Sequence, residues 1–203
     1  MTPESKPLLE SGADPDPLVQ FGRWFDEAAA VVPHPEAMAV ATADIQGHLS
    51  VRMVLLKGWD ANGFVFHTNF DSRKGRELAE NPYAALLFHW DPLGRQVRIE
   101  GPVDRIPESD SDSYFQTRPR GGQIGARASH QSRTIESREG LDREVKILEA
   151  QFAGQEVPRP PWWGGLRVQP RMFEFWQNRE DRLHDRLRYT PVGDGWKIDR
   201  LQP

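Results

Sequence analysis

Between residues 37 and 105 the sequence alternates short runs of β-forming residues with turn signals. The runs read AMAVATAD, LSVRMVLLKGW, GFVFHTNF, AALLFHW and RQVRIEGPV, and turn sequences such as IQGH, DANG and DPLG lie between neighbours. Runs of this length with such short connections are typical of antiparallel strands that follow one another in a sheet. Closure removes the unpaired edges of such a sheet, so we predict a β-barrel.

Helices are predicted on either side of these strands. Apolar residues recur at three- and four-residue steps over 18–28 and over 137–153, and a further helix over 108–117 stops before Pro119. After the loop VPRPPWWGG, more β-rich runs follow at LRV, MFEFWQ, DRLHDRLRY and GWKIDRL. We therefore expect a mainly β fold, a β-barrel with flanking α-helices.

Length and composition place these elements in one domain. A chain of 203 residues is long enough to bury one sizeable core. Residues 1–16 are rich in proline, serine, glycine and acidic residues. We expect them to form a flexible N-terminal arm that is ordered only against a partner, followed by a single domain over 17–203.

Charge and residue types disfavour several classes of function. A net charge of −4 gives no global reason to bind nucleic acid or an anionic membrane. No apolar run is long enough to span a bilayer, and the polar N-terminus lacks the apolar stretch of a signal peptide, so we expect a cytoplasmic protein. The chain has no cysteine, and its six histidines lack the short spacing of metal ligands, so no metal is predicted.

Two basic segments are rich in arginine. If DRLHDRLRY is one strand, its basic residues share a face that either binds an anion or is a solvated outer face; they are Arg182, His184, Arg186 and Arg188. The segment YFQTRPRGGQIGARASHQS combines arginines with glycines that permit close approach of a ligand, as in a binding loop; a plain surface connection is the alternative.

The segment DSRKGRELAENP predicts a short helix that is capped by Asp71 or Ser72 and carries Arg73 and Lys74 in its first turn. Cations at this end interact unfavourably with the helix dipole, and a phosphate bound by them and by the free backbone N–H groups would offset that cost. An exposed basic turn is the alternative.

The strand SVRMVLLKGW carries two cations, Arg52 and Lys57, whose odd spacing places them on opposite faces of a regular strand. Arg52 lies inside the apolar run and needs a carboxylate or a phosphate as partner. The chain has no phosphate loop, no dinucleotide fingerprint and no nucleophile elbow. Several phosphate-suited cations without a nucleophile or a metal site indicate that a bound organic cofactor carries the chemistry.

Four segments together resemble the signature blocks of the pyridoxamine/pyridoxine 5′-phosphate oxidase family: RMVLLKGW, HTNFDSRKGRELAENP, SYFQTRPRGGQIGARASHQS and FEFWQNREDRLHDRLRY. Their order and spacing also match, from about Asp16 to the final LQP. The resemblance implies an FMN-binding split β-barrel that works as a homodimer, with FMN at the subunit interface. It also implies an oxidase that converts pyridoxamine 5′-phosphate and pyridoxine 5′-phosphate to pyridoxal 5′-phosphate, with O2 as acceptor and release of H2O2.

The family's functional residues transfer position by position onto this sequence. FMN contacts are expected at Arg52, Met53, Val54, Leu55, Leu56, Lys57, His67, Thr68, Arg73, Lys74, Gln96, Gln131, Ser132, Trp176 and Arg186. Substrate contacts are expected at Lys57, Tyr114, Arg118, Gly122, Arg182, Leu183 and His184. The resemblance assigns catalysis to Arg182 and His184, which orient the substrate and assist its proton loss.

Three departures from the family pattern bear on this transfer. Gly122 stands where many members offer a serine to the substrate phosphate, so only its backbone N–H is left for that contact. His67 replaces an aromatic residue that borders the flavin and adds a titratable group. The arm lacks an arginine- and tyrosine-bearing segment, so we expect no lid from it. A related flavin oxidase for another ring, such as a phenazine precursor, and a non-catalytic flavin or pyridoxal phosphate carrier remain as alternatives.

Overall fold

The computed structural model describes residues 6–203, which form ten strands and five α-helices. The strands are β1 Ala37–Ala43, β2 Leu49–Leu55, β3 Gly58–Asp60, β4 Gly63–Asn69, β5 Tyr83–Trp90, β6 Arg95–Arg105, β7 Trp163–Val168, β8 Met172–Gln177, β9 Asp185–Val192 and β10 Gly195–Arg200. The helices are α1 Pro17–Ala29, α2 Arg73–Glu80, α3 Glu108–Thr117, α4 Arg120–Ala128 and α5 Arg138–Gln151. None of these helices is long and apolar enough to cross a membrane.

The strands form one curled antiparallel sheet with flanking helices. Seven strands lie in the order β10-β9-β8-β6-β5-β1-β2, and β7, β4 and β3 continue from the far end of β6. The long strand β6 serves both parts, because its first half pairs with β8 and its last residues pair with β7. Between the two halves, a Cβ at Gly101 would clash with the carbonyl oxygen of Gln169, so glycine permits the close approach there. The predicted β-barrel is confirmed as a curled, partly open barrel.

The main core lies inside the curl and is dominated by aromatic rings. Phe21 of α1 is fully buried, and its ring centroid lies 4.9 Å from that of Phe64 and 5.0 Å from that of Phe88. These edge-to-face contacts add to the stabilisation from apolar burial. The predicted amphipathic helix is confirmed, since α1 buries Phe21, Trp24 and Ala28 against the sheet.

A smaller core joins α3, α4 and α5 to β7; its buried members are Phe115, Ile124, Ala128, Leu148, Val157 and Trp163. The predicted binding loop over 114–132 is wrong in its middle, which is the helix α4. Its three glycines disfavour a helix on propensity alone. Burial of Ile124 and Ala128 against the neighbouring helices supplies the stabilisation that propensity lacks.

The predicted strand DRLHDRLRY begins only at Asp185. Residues Glu180–Arg182 form a single 3₁₀ turn, in which Asp181 and Arg182 have φ angles of 53° and 60°. Because the backbone at Arg182 is not extended, Arg182 does not continue the alternation of the basic residues along β9. The predicted row of four cations is therefore wrong.

The N-terminal arm has its partner within the same chain. Leu8 is buried, and its N–H donates to the Asp185 carboxylate at 3.1 Å. Glu10 forms an ion pair with Arg200 of β10 at 2.7 Å. Residues 8–10 of the predicted arm therefore lie against β9 and β10, whereas residues 1–5 of the arm fall outside the described residues.

Candidate active site

A cavity of about 1020 Å³ opens between β2, the end of β4, α2 and the α3–α4 segment. Its volume is at the upper end of the roughly 300–1,000 Å³ found for small-molecule sites. The structure brings fourteen of the predicted contact residues together in its lining: Arg52, Met53, Val54, Leu55, Lys57, His67, Thr68, Arg73, Lys74, Tyr114, Arg118, Gly122, Gln131 and Ser132.

The end of β2 explains how its two cations reach the same cavity. The strand stops at Leu55, and the N–H of Leu56 then bonds the carbonyl of Glu36 at 2.8 Å. Leu56 is therefore buried in the main core and does not line the cavity, contrary to its expected FMN contact. Arg52 and Lys57 both line the cavity, so their expected placement on opposite faces is wrong, because the alternation of a strand ends where the strand ends.

The first cationic cluster consists of Arg52, Arg73 and Lys74. Ser72 caps α2, as one of the two predicted caps, and places Arg73 and Lys74 at the start of the helix. The Lys74 ammonium donates to the side-chain oxygen of Gln131 at 2.8 Å, which ties α2 to the chain after α4. Burial and the nearby Arg52 lower the pKa of Lys74 to about 8. The three cations are thus crowded at one end of the cavity.

Behind the first cationic cluster lies a buried carboxylate, Glu77. One of its oxygens accepts from Arg73 Nε at 2.7 Å, and the other lies 3.5 Å from Arg52 Nη2. The second oxygen also accepts from the Ser50 hydroxyl at 2.5 Å and from the Thr42 hydroxyl. Burial opposes the charged form, but hydrogen bonds from Ser50, Thr42 and Arg73 outweigh it and lower the pKa of Glu77 to about 2. Glu77 is therefore ionised at neutral pH.

The second cationic cluster consists of Lys57 and Arg118, beside the rings of Tyr114 and Trp163. The Lys57 ammonium lies 6.0 Å from the centroid of the Tyr114 ring, and the Arg118 guanidinium lies 4.7 Å from that of Trp163. Burial lowers the pKa of Arg118. Its Nη1 atom is buried and has no hydrogen-bond partner within residues 6–203. A buried donor of this kind is expected to meet a ligand, because unpaired buried polar groups are rare.

His67 lies in the wall of the second cationic cluster, between two aromatic rings. Its centroid is 4.0 Å from that of Tyr114 and 5.1 Å from that of Trp163, and all three rings are nearly parallel. Burial, together with the charges of Arg118 and Lys57, lowers the pKa of His67 to about 4. The titratable group that the sequence places here is thus neutral at pH 7.

Gly122 lies in the first turn of α4, next to Arg118. Its N–H donates to the Pro119 carbonyl at 2.8 Å, so the expectation that this N–H is left for a substrate phosphate is wrong. A Cβ at this position would lie 3.3 Å from Arg118 Nη2. A side chain at residue 122 would therefore contact the Arg118 guanidinium.

The donors of the cavity fit a planar heterocycle that carries a phosphate. No carboxylate lines the cavity in the described part of the chain, so the two cationic clusters give it a positive field. The strand β2 is at an edge of the sheet, which leaves one side of its backbone N–H and C=O groups unpaired beside the cavity. Cations suit a phosphate, and an open strand edge suits the heteroatoms of a flavin, so the site fits FMN.

Four other predicted contact residues lie together on the exposed face of the sheet. We call them the sheet-face cluster: Gln96, Trp176, His184 and Arg186. Trp176 pairs with Gln96 on one side and with Arg186 on the other, and its ring centroid lies 4.5 Å from that of His184. None of these residues lines the cavity, nor do Arg182 and Leu183, which precede His184.

The same face of the sheet carries an exposed apolar patch. It contains Val51, Met53 and Leu55 of β2 and Leu87 of β5, which are 68%, 64%, 43% and 36% exposed. Leu87 pairs with Arg98, which lies two residues from Gln96, so the patch and the sheet-face cluster share one face. A contiguous exposed apolar patch marks an interaction surface.

Among the site residues that were not predicted from the sequence, Trp163 and Glu77 matter most for its geometry and charge. Trp163 lies in the run VPRPPWWGG, which reads as a loop, and only its pairing with Asn69 across β4 and β7 brings it to the cavity. Glu77 gave one signal, its spacing of four residues from Arg73 on a helix. Its contacts with β1 and β2 depend on the folded arrangement.

Family models match both halves of the chain. Residues 25–152 match the model described as pyridoxamine 5′-phosphate oxidase. Residues 163–203 match the model described as the pyridoxine 5′-phosphate oxidase C-terminal dimerisation region. Three members of the sheet-face cluster, Trp176, His184 and Arg186, lie within this dimerisation region.

Known proteins resemble the chain over nearly its full length. The pyridoxine/pyridoxamine 5′-phosphate oxidase of Rubrobacter xylanophilus is 58% identical over 197 residues, which cover 97% of this chain and 91% of that protein. The protein of the same name from Bordetella petrii is 55% identical and covers 98% of this chain and 95% of its own. The solved structure of PhzG from Burkholderia lata 383, in complex with tetrahydrophenazine-1-carboxylic acid, is 36% identical with a TM-score of 0.91, over 98% of this chain and 100% of that chain. By both its sequence and its fold, the chain belongs to the pyridoxamine 5′-phosphate oxidase family.

Proposed function

We propose that this protein is an FMN-dependent oxidase that converts pyridoxamine 5′-phosphate and pyridoxine 5′-phosphate to pyridoxal 5′-phosphate, with O2 as acceptor and H2O2 as the second product. The observation that carries this proposal is that one cavity contains two groups of cations and, in the described chain, no lining carboxylate. Two phosphate-bearing ligands that bind side by side account for both groups. The names of relatives more than half identical to the chain support the same reaction.

Each cationic cluster would hold one phosphate. Arg52, Arg73 and Lys74 would bind the phosphate of FMN, since they combine charge with the N-terminal end of α2. Lys57 and Arg118 would bind the substrate phosphate, with the hydroxyl of Tyr114. The unpaired Arg118 Nη1 would then gain its missing acceptor.

The sheet-face cluster would complete the site from a second subunit. These residues are predicted FMN and substrate contacts, yet within one chain they lie outside the cavity. They share a face with the apolar patch and fall largely within the matched dimerisation region. We infer that a homodimer buries the patch and brings the sheet-face cluster of one subunit to the cavity of the other.

When bound, FMN supplies the acceptor for a hydride from substrate C4′, and its reoxidation by O2 yields H2O2. His184 would orient the substrate. Its Nδ1 accepts the backbone N–H of Arg179 at 3.2 Å, which leaves the proton on Nε2, so the free nitrogen donates a hydrogen bond. Arg182 would stabilise the electron-rich group at C4′ as its proton leaves, through its fixed positive charge.

A flavin oxidase for a phenazine precursor is the second candidate. The likeness to PhzG favours it, because that structure contains a tricyclic carboxylic acid. Its named ligand carries a carboxylate, which Lys57 and Arg118 could bind in place of a phosphate. The names of relatives more than half identical to the chain favour the B6 phosphate over this ligand. A flavin carrier without turnover is the third candidate, and it gives no reason for retaining Arg182 and His184.

Aerobic turnover separates these candidates. The protein is loaded with FMN, freed of excess flavin and mixed in air with each B6 phosphate, and H2O2 and pyridoxal 5′-phosphate are measured against an equal concentration of free FMN. We expect both products in equal amounts. Flavin binding without product on either substrate would support the carrier, and oxidation of a phenazine precursor alone would support the second candidate. A cytoplasmic location also stays a prediction, which cell fractionation tests.

A further inference from the structure

Glu77 has no place in the proposed reaction, yet it is among the most heavily bonded side chains of the site. It is 5% exposed and does not line the cavity. Its two oxygens contact different arginines, Arg73 at 2.7 Å and Arg52 at 3.5 Å. A carboxylate in this position acts on the cavity through those arginines and through Ser50, which donates to it and lines the cavity.

Both arginines are held in place by acceptors of the protein. Arg73 uses Nε for Glu77, and its terminal nitrogens have no protein partner within residues 6–203. Arg52 is fixed by Glu77 and also donates from Nη1 to the Thr42 hydroxyl at 2.6 Å and to the Val40 carbonyl at 3.2 Å. The two guanidinium groups are thereby oriented before any ligand binds, which lowers the entropy lost on binding.

The net charge of the first cationic cluster also indicates a role for Glu77 in binding a phosphate. Three cations without a counter-ion would repel one another at this end of the cavity, and the charge of Arg52 adds to the burial that lowers the pKa of Lys74. One buried carboxylate offsets one of them and leaves two net positive charges. A phosphate monoester carries about −1.5 to −2 at pH 7, so the remaining charge matches it.

We propose that Glu77 is the positioning residue of the cofactor phosphate site: it orients Arg52 and Arg73 and leaves the first cationic cluster with two net positive charges, which balance a phosphate monoester dianion. This inference rests on the proposed binding of FMN. Glutamine cannot replace Glu77 without loss, because both oxygens accept hydrogen bonds and the amide nitrogen would face a donor.

The test compares Glu77→Gln with Glu80→Gln. Glu80 is an exposed residue of the same helix, so its variant removes the same charge without touching the arginines. Dissociation constants for FMN and for riboflavin, which lacks the phosphate, are measured by quenching of flavin fluorescence on titration with flavin-free protein. We expect Glu77→Gln to weaken FMN by at least about tenfold and riboflavin by less than about twofold. Glu80→Gln should bind both flavins like the wild type.

Four results would overturn the proposal. Unchanged FMN binding by Glu77→Gln would mean that Glu77 neither positions the arginines nor matches the charge, tighter binding would mean that added positive charge alone helps, and equal loss for FMN and riboflavin would mean a general structural role. If Glu77→Gln does not fold, Thr42→Val decides, because Thr42 donates to Glu77 but does not line the cavity, and its loss should weaken FMN by roughly threefold and leave riboflavin unchanged. Unchanged FMN binding in that variant would also overturn the proposal. A wild-type protein that binds no FMN would instead refute the proposed function.

Discussion

The imidazole ring of His67 lies against the phenol ring of Tyr114, with 4.0 Å between centroids and 18° between planes. Trp163 continues the stack on the other side of His67. Protonation of His67 would add a positive charge beside Lys57 and Arg118 within a partly buried wall. The ring therefore acts as a neutral, flat surface, and this has a measurable consequence for stability.

The stability of the protein should depend on pH through His67. Its pKa is about 4 in the folded chain and 6.5 in its ordinary state, so between these values the unfolded chain binds a proton that the folded chain does not. Stability is thus complete above pH 6.5 and falls as the pH is lowered toward 4. His67→Phe keeps the flat ring and removes this pH dependence. At pH 5 the free energy of unfolding of the variant should have fallen by about 1 kcal/mol less than that of the wild type, after allowance for solvent screening. Urea unfolding of both proteins at several pH values measures this difference in the free energy of unfolding. If the two free energies change with pH in parallel, His67 is not the cause of the pH dependence.

Arg182→Ala should separate catalysis from cofactor binding. Arg182 lies in the 3₁₀ turn, away from the first cationic cluster, so loss of its charge should reduce kcat by about a hundredfold or more while FMN stays bound. Steady-state turnover and the flavin absorbance of the purified variant are measured together. Loss of FMN from Arg182→Ala would contradict this division of roles.

Gly122→Ser should strengthen the substrate phosphate site. A Cβ at residue 122 lies 3.3 Å from Arg118 Nη2, and a serine hydroxyl there could accept from that nitrogen or donate to a phosphate oxygen. We expect KM for pyridoxine 5′-phosphate to fall by roughly threefold to tenfold, the effect of one hydrogen bond, with little change in kcat. Gly121→Ser is the matched control, because a Cβ at Gly121 meets no neighbouring atom. If both variants change KM equally, or if Gly122→Ser leaves KM unchanged, residue 122 does not contact the substrate phosphate.

Leu87→Asp should weaken the dimer and the flavin site together. Leu87 lies within the exposed apolar patch and does not line the cavity. A carboxylate at the centre of this face would be buried on dimerisation, at a cost of several kcal/mol. Sedimentation velocity should show monomer, and FMN affinity should fall with it. Val31→Asp, at an exposed apolar residue of the loop after α1, should stay dimeric and bind FMN normally. A dimeric Leu87→Asp would place the interface elsewhere.

The sequence was sufficient to predict the elements whose patterns are local. The stripe of α1, the cap Ser72 and the strand β1 each follow from periodicity, capping or β-forming residues within a short segment. The helix α4 and the turn before β9 were missed because no local pattern of residues determines them. Packing around Ile124 overrides the glycines of α4, and the left-handed backbone at Arg182 has no signal in residue type.

The sequence predicted which residues form the site better than it predicted how those residues are arranged in space. The resemblance to known sequences identified the cavity cations, but strand alternation alone separated Arg52 from Lys57, because it could not show that β2 ends between them. Glu77 and Trp163 reach the site through contacts between distant segments. Such contacts depend on the tertiary fold, which no local pattern encodes.

Mixed dimers test most directly whether this oxidase builds its site from two subunits. Arg118→Ala damages the cavity, and Arg182→Ala damages the turn that we place in the cavity of the other subunit. The two inactive variants are combined under conditions that exchange subunits, and turnover of pyridoxine 5′-phosphate is measured while native mass spectrometry counts the heterodimers. Each heterodimer would regain one intact site of two, so random exchange of equal amounts should restore about a quarter of the wild-type rate. Heterodimers that form and remain inactive would contradict the shared site.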